Sequence, residues 1–117
     1  GDEYMYPFYL RQDQSVWASI EDLPNLVKQQ VLLIDLRRFE DFNQFHIPGF
    51  ISKPYRYIRS WLPELNLQVP VYFICTHGQT AYELAYDLRK KGYQSYAFIG
   101  GINYYLQLQK PNQHHFF

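Results

Sequence analysis

The sequence has little cysteine: Cys75 is the only one among 117 residues. A single thiol cannot form an internal disulfide, and it excludes intramolecular disulfide reduction, which needs a second, resolving thiol. Free cysteine fits a reducing compartment, so we expect a cytoplasmic location. The position of the one thiol therefore becomes the first question.

The sequence also lacks an excess of charge of either sign. Lysine plus arginine and aspartate plus glutamate both number 11, so the formal net charge is zero. Nucleic acid binding needs an excess of basic side chains, so we predict no nucleic acid partner, although a local basic patch is compatible with a neutral total.

Long hydrophobic runs are missing too. No apolar run reaches 18 residues, and the chain does not open with a charged and then apolar segment. We therefore predict no transmembrane helix and no signal peptide in this stretch. A membrane anchor upstream of residue 1 would be invisible in it.

The sequence is rich in apolar and aromatic side chains. Hydrophobic residues make up 47% and aromatic residues 20%, with 12 Tyr and 9 Phe. This composition predicts one packed domain with one core. The rings are expected mostly in the core and partly at the surface, and an aromatic binding surface is the alternative.

Three continuous apolar runs predict strands that are buried on both faces, as in a parallel sheet. They cover residues 31–34, 71–74 and 96–99, and they are followed by Asp35, Cys75 and Gly100-Gly101. Shorter strands are predicted at residues 16–18 and near Ile51.

Helical patterns lie between the predicted strands. Ser19 with an acid at Asp22 predicts a helix start, and Pro24 lies early enough to be tolerated in a first turn. The clearest helix covers residues 80–91, with buried positions at helical spacing and Gly92 as its stop. Other helices are predicted at residues 39–45, at 57–65 with an interruption at Pro63, and from 102 to before 111.

Strands that alternate with helices predict an α/β domain, with a mainly parallel central sheet and helices on both faces. Ligands of such sheets bind beyond the carboxyl ends of the strands. Asp35, Cys75 and the Gly100-Gly101 pair all follow strand ends, so we expect them to meet at one edge of the sheet. Cys75 is therefore placed in the predicted site.

The segment from Cys75 to Thr80 connects a strand to a helix. Its backbone N–H groups and the positive end of the helix dipole would stabilise an anion, so a thiolate there would be a good nucleophile. Gly78 permits a positive φ, and Thr80 is predicted as the N-cap of the helix. The alternative is an inert buried thiol.

Histidine does not indicate a metal site. The four histidines, at positions 46, 77, 114 and 115, show no ligand spacing with the thiol. We predict no metal and no cofactor. His77 is either a hydrogen-bond donor to a bound anion or an exposed loop residue without a special role.

Several short motifs in order resemble the rhodanese domain, the fold of thiosulfate sulfurtransferases, in its small one-domain form. The likeness runs from about residue 17 to 108, and its matching segments are Ile34-Asp35-Leu36-Arg37, Glu40 with Phe42, His46-Ile47-Pro48-Gly49, Cys75 to Thr80, Gly92-Tyr93 and Gly100-Gly101-Ile102. Two departures are Phe45 and Phe50, where the family usually has Gly and Ala. The loop also lacks the arginines of many members, with Thr76 and Thr80 in their places.

The resemblance implies a sulfurtransferase without a cofactor. Cys75 would be the nucleophile that takes a sulfane sulfur from thiosulfate or a similar donor and passes it, through a persulfide, to cyanide, a thiol or an acceptor protein. The implied substrate-binding residues are Thr76, His77, Gly78, Gln79, Thr80 and Arg37. The implied loop-supporting residues are Asp35, His46, Gly100 and Gly101.

The resemblance leaves alternatives open. Related phosphatases and arsenate reductases have a loop that is one residue longer and ends in an arginine, which this loop lacks. Other rhodanese-like domains are non-catalytic docking modules, and a persulfide relay to a partner protein lies between docking and turnover. The expected division of the chain is an extension over residues 1–15, the domain over 16–109 and a tail over 110–117. The oligomeric state is left open.

Overall fold

The computed structural model describes residues 12–110. Most of the predicted N-terminal extension and all of the predicted tail after Lys110 lie outside the described residues. Among residues 12–110, no helix is both long and apolar enough to cross a membrane.

A five-stranded sheet forms the centre of the domain. Its neighbouring strands all pair in parallel, in the order β1-β5-β4-β2-β3. The strands are β1 Trp17–Ala18, β2 Leu32–Asp35, β3 Ile51–Ser52, β4 Val71–Ile74 and β5 Ser95–Phe98. The predicted parallel sheet is confirmed.

Five α-helices connect or follow these strands. They are α1 Leu23–Leu26, α2 Phe39–Gln44, α3 Ile58–Trp61, α4 Gln79–Lys90 and α5 Gly101–Gln109. Short 3₁₀ helices cover Gln14–Val16, Ile20–Asp22, Tyr55–Tyr57 and Leu62–Glu64. Ser19 caps the second of these through a bond to the N–H of Glu21, as predicted for a helix start, and Pro24 lies in the first turn of α1.

Both faces of the sheet are buried because successive strand residues point to opposite sides. Ile34 and Phe73 belong to one core cluster, together with Ala81 and Leu84 of α4. Residues of α1 and α5 pack on the other face. They share a core cluster with Leu33 and Ile74, which adjoin Ile34 and Phe73 in the strands. This double burial explains the continuous apolar runs, and it confirms helices on both faces.

The helix α4 forms where predicted, shifted by one residue. Its apolar stripe is buried, consisting of Ala81, Leu84, Ala85 and Leu88. Arg89 and Lys90 lie in its last turn, where cations meet the negative end of the helix dipole. Gly92 follows with φ 98°, a left-handed conformation that ends the helix.

Two predicted boundaries are wrong in detail. The last strand ends at Phe98, and Ile99 lies beyond it with its side chain 45% exposed. Phe45 is outside α2, in extended conformation at its C-cap. The helical segment predicted over 57–65 is interrupted at Pro63 as expected, because proline cannot donate the bond that an α-helix needs there; it consists of a 3₁₀ turn, α3 and a second 3₁₀ turn that contains Pro63.

The residues before β1 pack on the domain. Val16 is fully buried, and Arg89 of α4 donates to the hydroxyl and the carbonyl of Ser15 at 3.0 and 2.8 Å. Tyr82 accepts a bond from the N–H of Asp13 at 2.8 Å. The segment from Asp13 to Val16 is thus held against α4.

Candidate active site

The thiol lies at the carboxyl end of β4, beside the carboxyl end of β2. Asp35, the last residue of β2, pairs with Ile74, the last residue of β4. Cys75 follows immediately, and its residue is only 8% exposed. The predicted meeting of Asp35 and Cys75 at one edge of the sheet is what the strand register produces.

The sulfur of Cys75 accepts hydrogen bonds from two backbone N–H groups. The nitrogen of Gly78 lies 3.2 Å from Sγ and that of Ala81 lies 3.3 Å from it. Both groups belong to the start of α4, whose first N–H groups have no partner within the helix. A thiolate in this position would be stabilised by these donors and by the helix dipole.

The predicted N-cap at Thr80 is wrong. Gly78 is the cap residue, with φ 107°, and α4 begins at Gln79. A Cβ at Gly78 would lie 3.2 Å from the nitrogen of Gly100, so the turn needs glycine for space as well as for its positive φ. The N–H groups that an N-cap side chain would normally satisfy remain available for the sulfur.

The N-terminus of α5 supports the loop from behind. Ile102 donates to the carbonyl of Cys75 at 2.9 Å, and Asn103 donates to that of Thr76 at 3.1 Å. A Cβ on Gly101 would overlap the carbonyl oxygen of Cys75. Gly100 and Gly101, at φ 78° and 60°, thus let α5 hold the loop carbonyls away from the sulfur.

His77 is exposed on the loop and contacts α5. Its Nδ1 lies 2.9 Å from Nδ2 of Asn103. With the amide donating, Nδ1 is an acceptor, and a neutral ring then carries its proton on Nε2. This arrangement leaves an N–H donor on a residue that lines the cavity at the thiol.

Asp35 and Arg37 form a buried pair behind the site. Asp35 is fully buried and Arg37 is 10% exposed at its side chain, with 2.8 Å between Oδ2 and Nη2. Asp35 also accepts from the backbone N–H of Arg37, and Arg37 donates to the carbonyl of Phe45. Most of the hydrogen-bonding capacity of the Arg37 guanidinium is therefore used by Asp35 and by the carbonyl of Phe45.

A cavity of about 530 Å³ opens at the thiol. Its walls come from the loop and from the segments after β2 and β3, namely Leu36, Arg37, Arg38, Asp41, Pro54, Tyr55, Arg56, Cys75, Thr76, His77, Gln79, Thr80 and Glu83. Five of the six predicted substrate-binding residues are in this lining. The sixth, Gly78, is buried and donates to Sγ instead.

The cavity carries charges that the sequence patterns did not indicate. Arg38 forms two hydrogen bonds with Asp41, which lower the pKa of the Asp41 carboxyl. Glu83 accepts from the amide of Gln79 at 3.3 Å. Arg56 stands over the ring of Tyr57, 5.2 Å from its centroid.

One predicted loop-supporting residue lies elsewhere. His46 follows α2, its ring stacks on Phe42 at 3.8 Å between centroids, and its Nδ1 is 3.0 Å from the carbonyl of Phe42. It is not part of the cavity lining, and these contacts place it at the end of α2.

The sequence patterns missed Ala81, Asn103 and Arg56 as residues of the site. Ala81 contributes only a backbone N–H. Every residue except proline has this group, so the residue type does not indicate the role. Arg56 follows β3. Because β3 is parallel to β2 and β4, its carboxyl end lies at the same edge of the sheet as theirs. Recognising the strand at Ile51 was therefore the signal that could have placed the following turn at the site.

The described part of the chain offers no cluster of metal ligands. Within 12–110, no three or more His, Cys, Asp and Glu side chains are grouped so that they could hold a metal ion. The absence of a metal from the chemistry stays a prediction.

Comparison with known proteins gives consistent likenesses. The chain is 29% identical over 62 residues to the candidate sulfur carrier protein YrkF of Bacillus subtilis, a match that covers 53% of this chain and 34% of YrkF. A reduced CoADR-RHD of Bacillus anthracis superposes with a TM-score of 0.69 and 28% identity over 75% of this chain, but only 16% of that one. This chain thus spans about a third of one relative and a sixth of the other.

A one-domain protein matches the fold over nearly its full length. The human single-domain sulfurtransferase TSTD1 gives a TM-score of 0.71 at 20% identity, covering 81% of this chain and 98% of that one. The family profile described as the rhodanese-like domain matches residues 19–108. This match covers most of the chain, and the chain belongs to the rhodanese-like domain family.

Proposed function

We propose that this domain is a sulfurtransferase that carries a sulfane sulfur on Cys75 as a persulfide. The donor is thiosulfate or a similar anionic sulfur compound. The acceptor is a thiol, cyanide in an assay, or a partner protein. The proposed catalytic unit is the domain over residues 16–109, working without metal or cofactor.

The observation that carries the proposal is the hydrogen bonding of the sulfur. Sγ of Cys75 accepts from the N–H groups of Gly78 and Ala81 while the residue lines an open cavity. Donors aimed at a sulfur can hold a negatively charged sulfur species, and an inert core thiol would need none of them. We expect a persulfide anion, one sulfur longer, to accept hydrogen bonds from N–H groups of the same loop.

The reaction balances in two steps. The Cys75 thiolate attacks the outer sulfur of thiosulfate, a new S–S bond forms, and the old S–S bond breaks with its electron pair leaving on sulfite. A thiophilic acceptor then attacks the outer sulfur of the persulfide. The Cys75 thiolate leaves, and the enzyme returns to its starting state.

Phosphoryl transfer is a weaker candidate for the same thiol. A phosphoryl group needs a charged clamp on three oxygens, commonly an arginine at the end of the loop. The loop here ends in Thr80, and the nearby Arg37 is bonded to Asp35. Vanadate-sensitive hydrolysis of an aryl phosphate would contradict the proposed function.

The direct experiment is intact-protein mass spectrometry after thiosulfate treatment. We expect a gain of one sulfur, about 32 Da, on the untreated mass, because the persulfide retains the sulfane sulfur. The gain should disappear with dithiothreitol and be absent in Cys75→Ser. No gain with thiosulfate or with any other sulfane donor would leave a docking module as the function.

The number of turnovers distinguishes an enzyme with small-molecule acceptors from a domain that relays sulfur to a partner protein. Repeated formation of thiocyanate from thiosulfate and cyanide supports an enzyme with small-molecule acceptors. A stable persulfide that cyanide discharges only once supports a relay to a protein acceptor. The sulfur carrier name of YrkF motivates this second arm of the test.

A further inference from the structure

The three arginines of the cavity differ in what they contact. Arg37 is paired with buried Asp35, and Arg38 is paired with Asp41. Arg56 lies in the 3₁₀ helix Tyr55–Tyr57 and is exposed, and its guanidinium contacts a tyrosine ring. Within residues 12–110, no carboxylate lies at ion-pair distance from Arg56.

The loop at the thiol has no charged group to offer an anionic donor. Its second and sixth positions are Thr76 and Thr80, and the N–H groups of Gly78 and Ala81 already bond to Sγ. Thiosulfate arrives with two negative charges, and sulfite, also an anion, departs once its outer sulfur has been transferred to Cys75. A cation on the cavity wall would favour the binding of this dianion.

We propose that Arg56 is the specificity-determining residue of this site and binds the anionic oxygens of the sulfur donor. The planar guanidinium presents parallel N–H groups that match two oxygens of a sulfonate-type group. Arg56 lies outside the loop and lines the same cavity as Cys75, so one bound donor could contact both residues. The proposal rests on the sulfur-transfer function and adds to it the residue that binds the anionic donor.

Glu83 opposes this selectivity from α4. It lines the same cavity, and its described partner is the neutral amide of Gln79. A carboxylate in the cavity repels an anionic donor, so Arg56 must outweigh it for the donor to bind. Removing either charge should therefore move the preference for anions in opposite directions.

The test uses two alkylating reagents of similar size, the anion iodoacetate and the neutral iodoacetamide. Each gives a Cys75 thioether as the thiolate attacks its CH₂ and iodide leaves. The rate constant for iodoacetate divided by that for iodoacetamide reports the electrostatic potential near Sγ. Any change in the nucleophilicity of the thiol affects both rate constants and cancels in this ratio. We expect Arg56→Ala to lower the ratio about fivefold, Arg56→Lys to keep most of it, and Glu83→Gln to raise it.

Arg59→Ala is the matched control. Arg59 is an exposed arginine three residues away in α3, and it is not in the cavity lining, so the ratio should stay at the wild-type value. An unchanged ratio in Arg56→Ala would overturn the proposal. An equal fall of both rates would also overturn it, because Arg56 would then act on the loop and not on the charge of the reagent.

Thiosulfate kinetics complete the test and keep the two proposals separable. The KM for thiosulfate should rise about fivefold in Arg56→Ala, with little change in kcat. A wild-type protein that forms no persulfide, yet shows the predicted iodoacetate ratios, would contradict sulfur transfer and leave Arg56 as an anion-binding residue.

Discussion

Two neighbouring strands end at the same edge of the sheet, and each is the site of a side chain that could take part in chemistry. The two side chains differ in whether they are fully paired within the protein. Asp35 ends β2, is fully buried, and has both carboxylate oxygens bonded to Arg37. Cys75 follows β4, and its sulfur receives two N–H groups while facing a cavity. The carboxylate is satisfied by the protein itself, whereas the thiol has donors and also room for a substrate.

The comparison teaches that a polar group at a strand end is a site only when space remains beside it. Burial with complete pairing makes Asp35 a structural residue, and its loss should be felt in stability. Burial with an open side fits the reactive role that we propose for Cys75, so its loss should reduce activity. The following predictions test this division, from the largest expected effect to the smallest.

Cys75→Ser should abolish activity and spare the fold. Serine keeps the size and the acceptor, but its hydroxyl is not ionised at neutral pH, so sulfur transfer should fall by more than about a thousandfold. Unfolding free energy should change by less than about 1 kcal/mol. Thiocyanate formation and a urea titration check the two halves, and a large stability loss would break the comparison.

Gly101→Ala should disturb the loop and the fold together. The added Cβ would overlap the carbonyl of Cys75, and φ 60° is strained for alanine, so we expect a loss of at least about 3 kcal/mol. Gly92→Ala is the matched control, because Gly92 has φ 98° but no atom within 4 Å of its added Cβ, and it should lose only about 1 kcal/mol. Equal losses would show that contact with the loop is unimportant.

Asp35→Asn should reverse the pattern expected of Cys75→Ser. It leaves the buried guanidinium of Arg37 without a counter-charge, so we expect a loss of about 2 kcal/mol of unfolding free energy. The iodoacetamide rate of Cys75 in the folded protein should stay within about threefold of wild type, since Asp35 does not touch the sulfur. A much larger fall in that rate would make Asp35 part of the chemistry.

Asn103→Ala should have the smallest effect. It removes the amide that holds Nδ1 of His77, while its own N–H can still bond to the carbonyl of Thr76. We expect sulfur transfer to fall about threefold, with unchanged stability. Nitrogen NMR shifts of the His77 ring should show a mixture of tautomers, and wild-type shifts in the variant would contradict the assigned contact.

The elements that sequence reasoning placed well are those with one dominant physical signal. The run over residues 71–74 is a strand as predicted, because a strand buried on both faces must be apolar throughout. The stripe of α4 is visible because a helix repeats every 3.6 residues. Thr80 was wrongly chosen as a cap because a threonine side chain and a glycine in left-handed conformation can both begin a helix.

The site was predicted only in the part that is local in sequence. The loop from Cys75 contains most of its own chemistry, so its residues were identified from their order. Asn103 and Arg56 come from other segments, and their roles depend on where those segments meet the loop. His46 was assigned to loop support through the resemblance alone, and its contacts are instead with Phe42.

The sequence by itself determined the class of fold and the position of the thiol that we propose carries the chemistry, because alternating strand and helix patterns and a lone thiol at a strand end are local facts. Only the tertiary structure decided which N–H groups reach the sulfur, and which of the arginines that line the cavity are paired with a carboxylate. Those outcomes depend on distances between segments far apart in the chain, and side-chain periodicity carries no information about such distances.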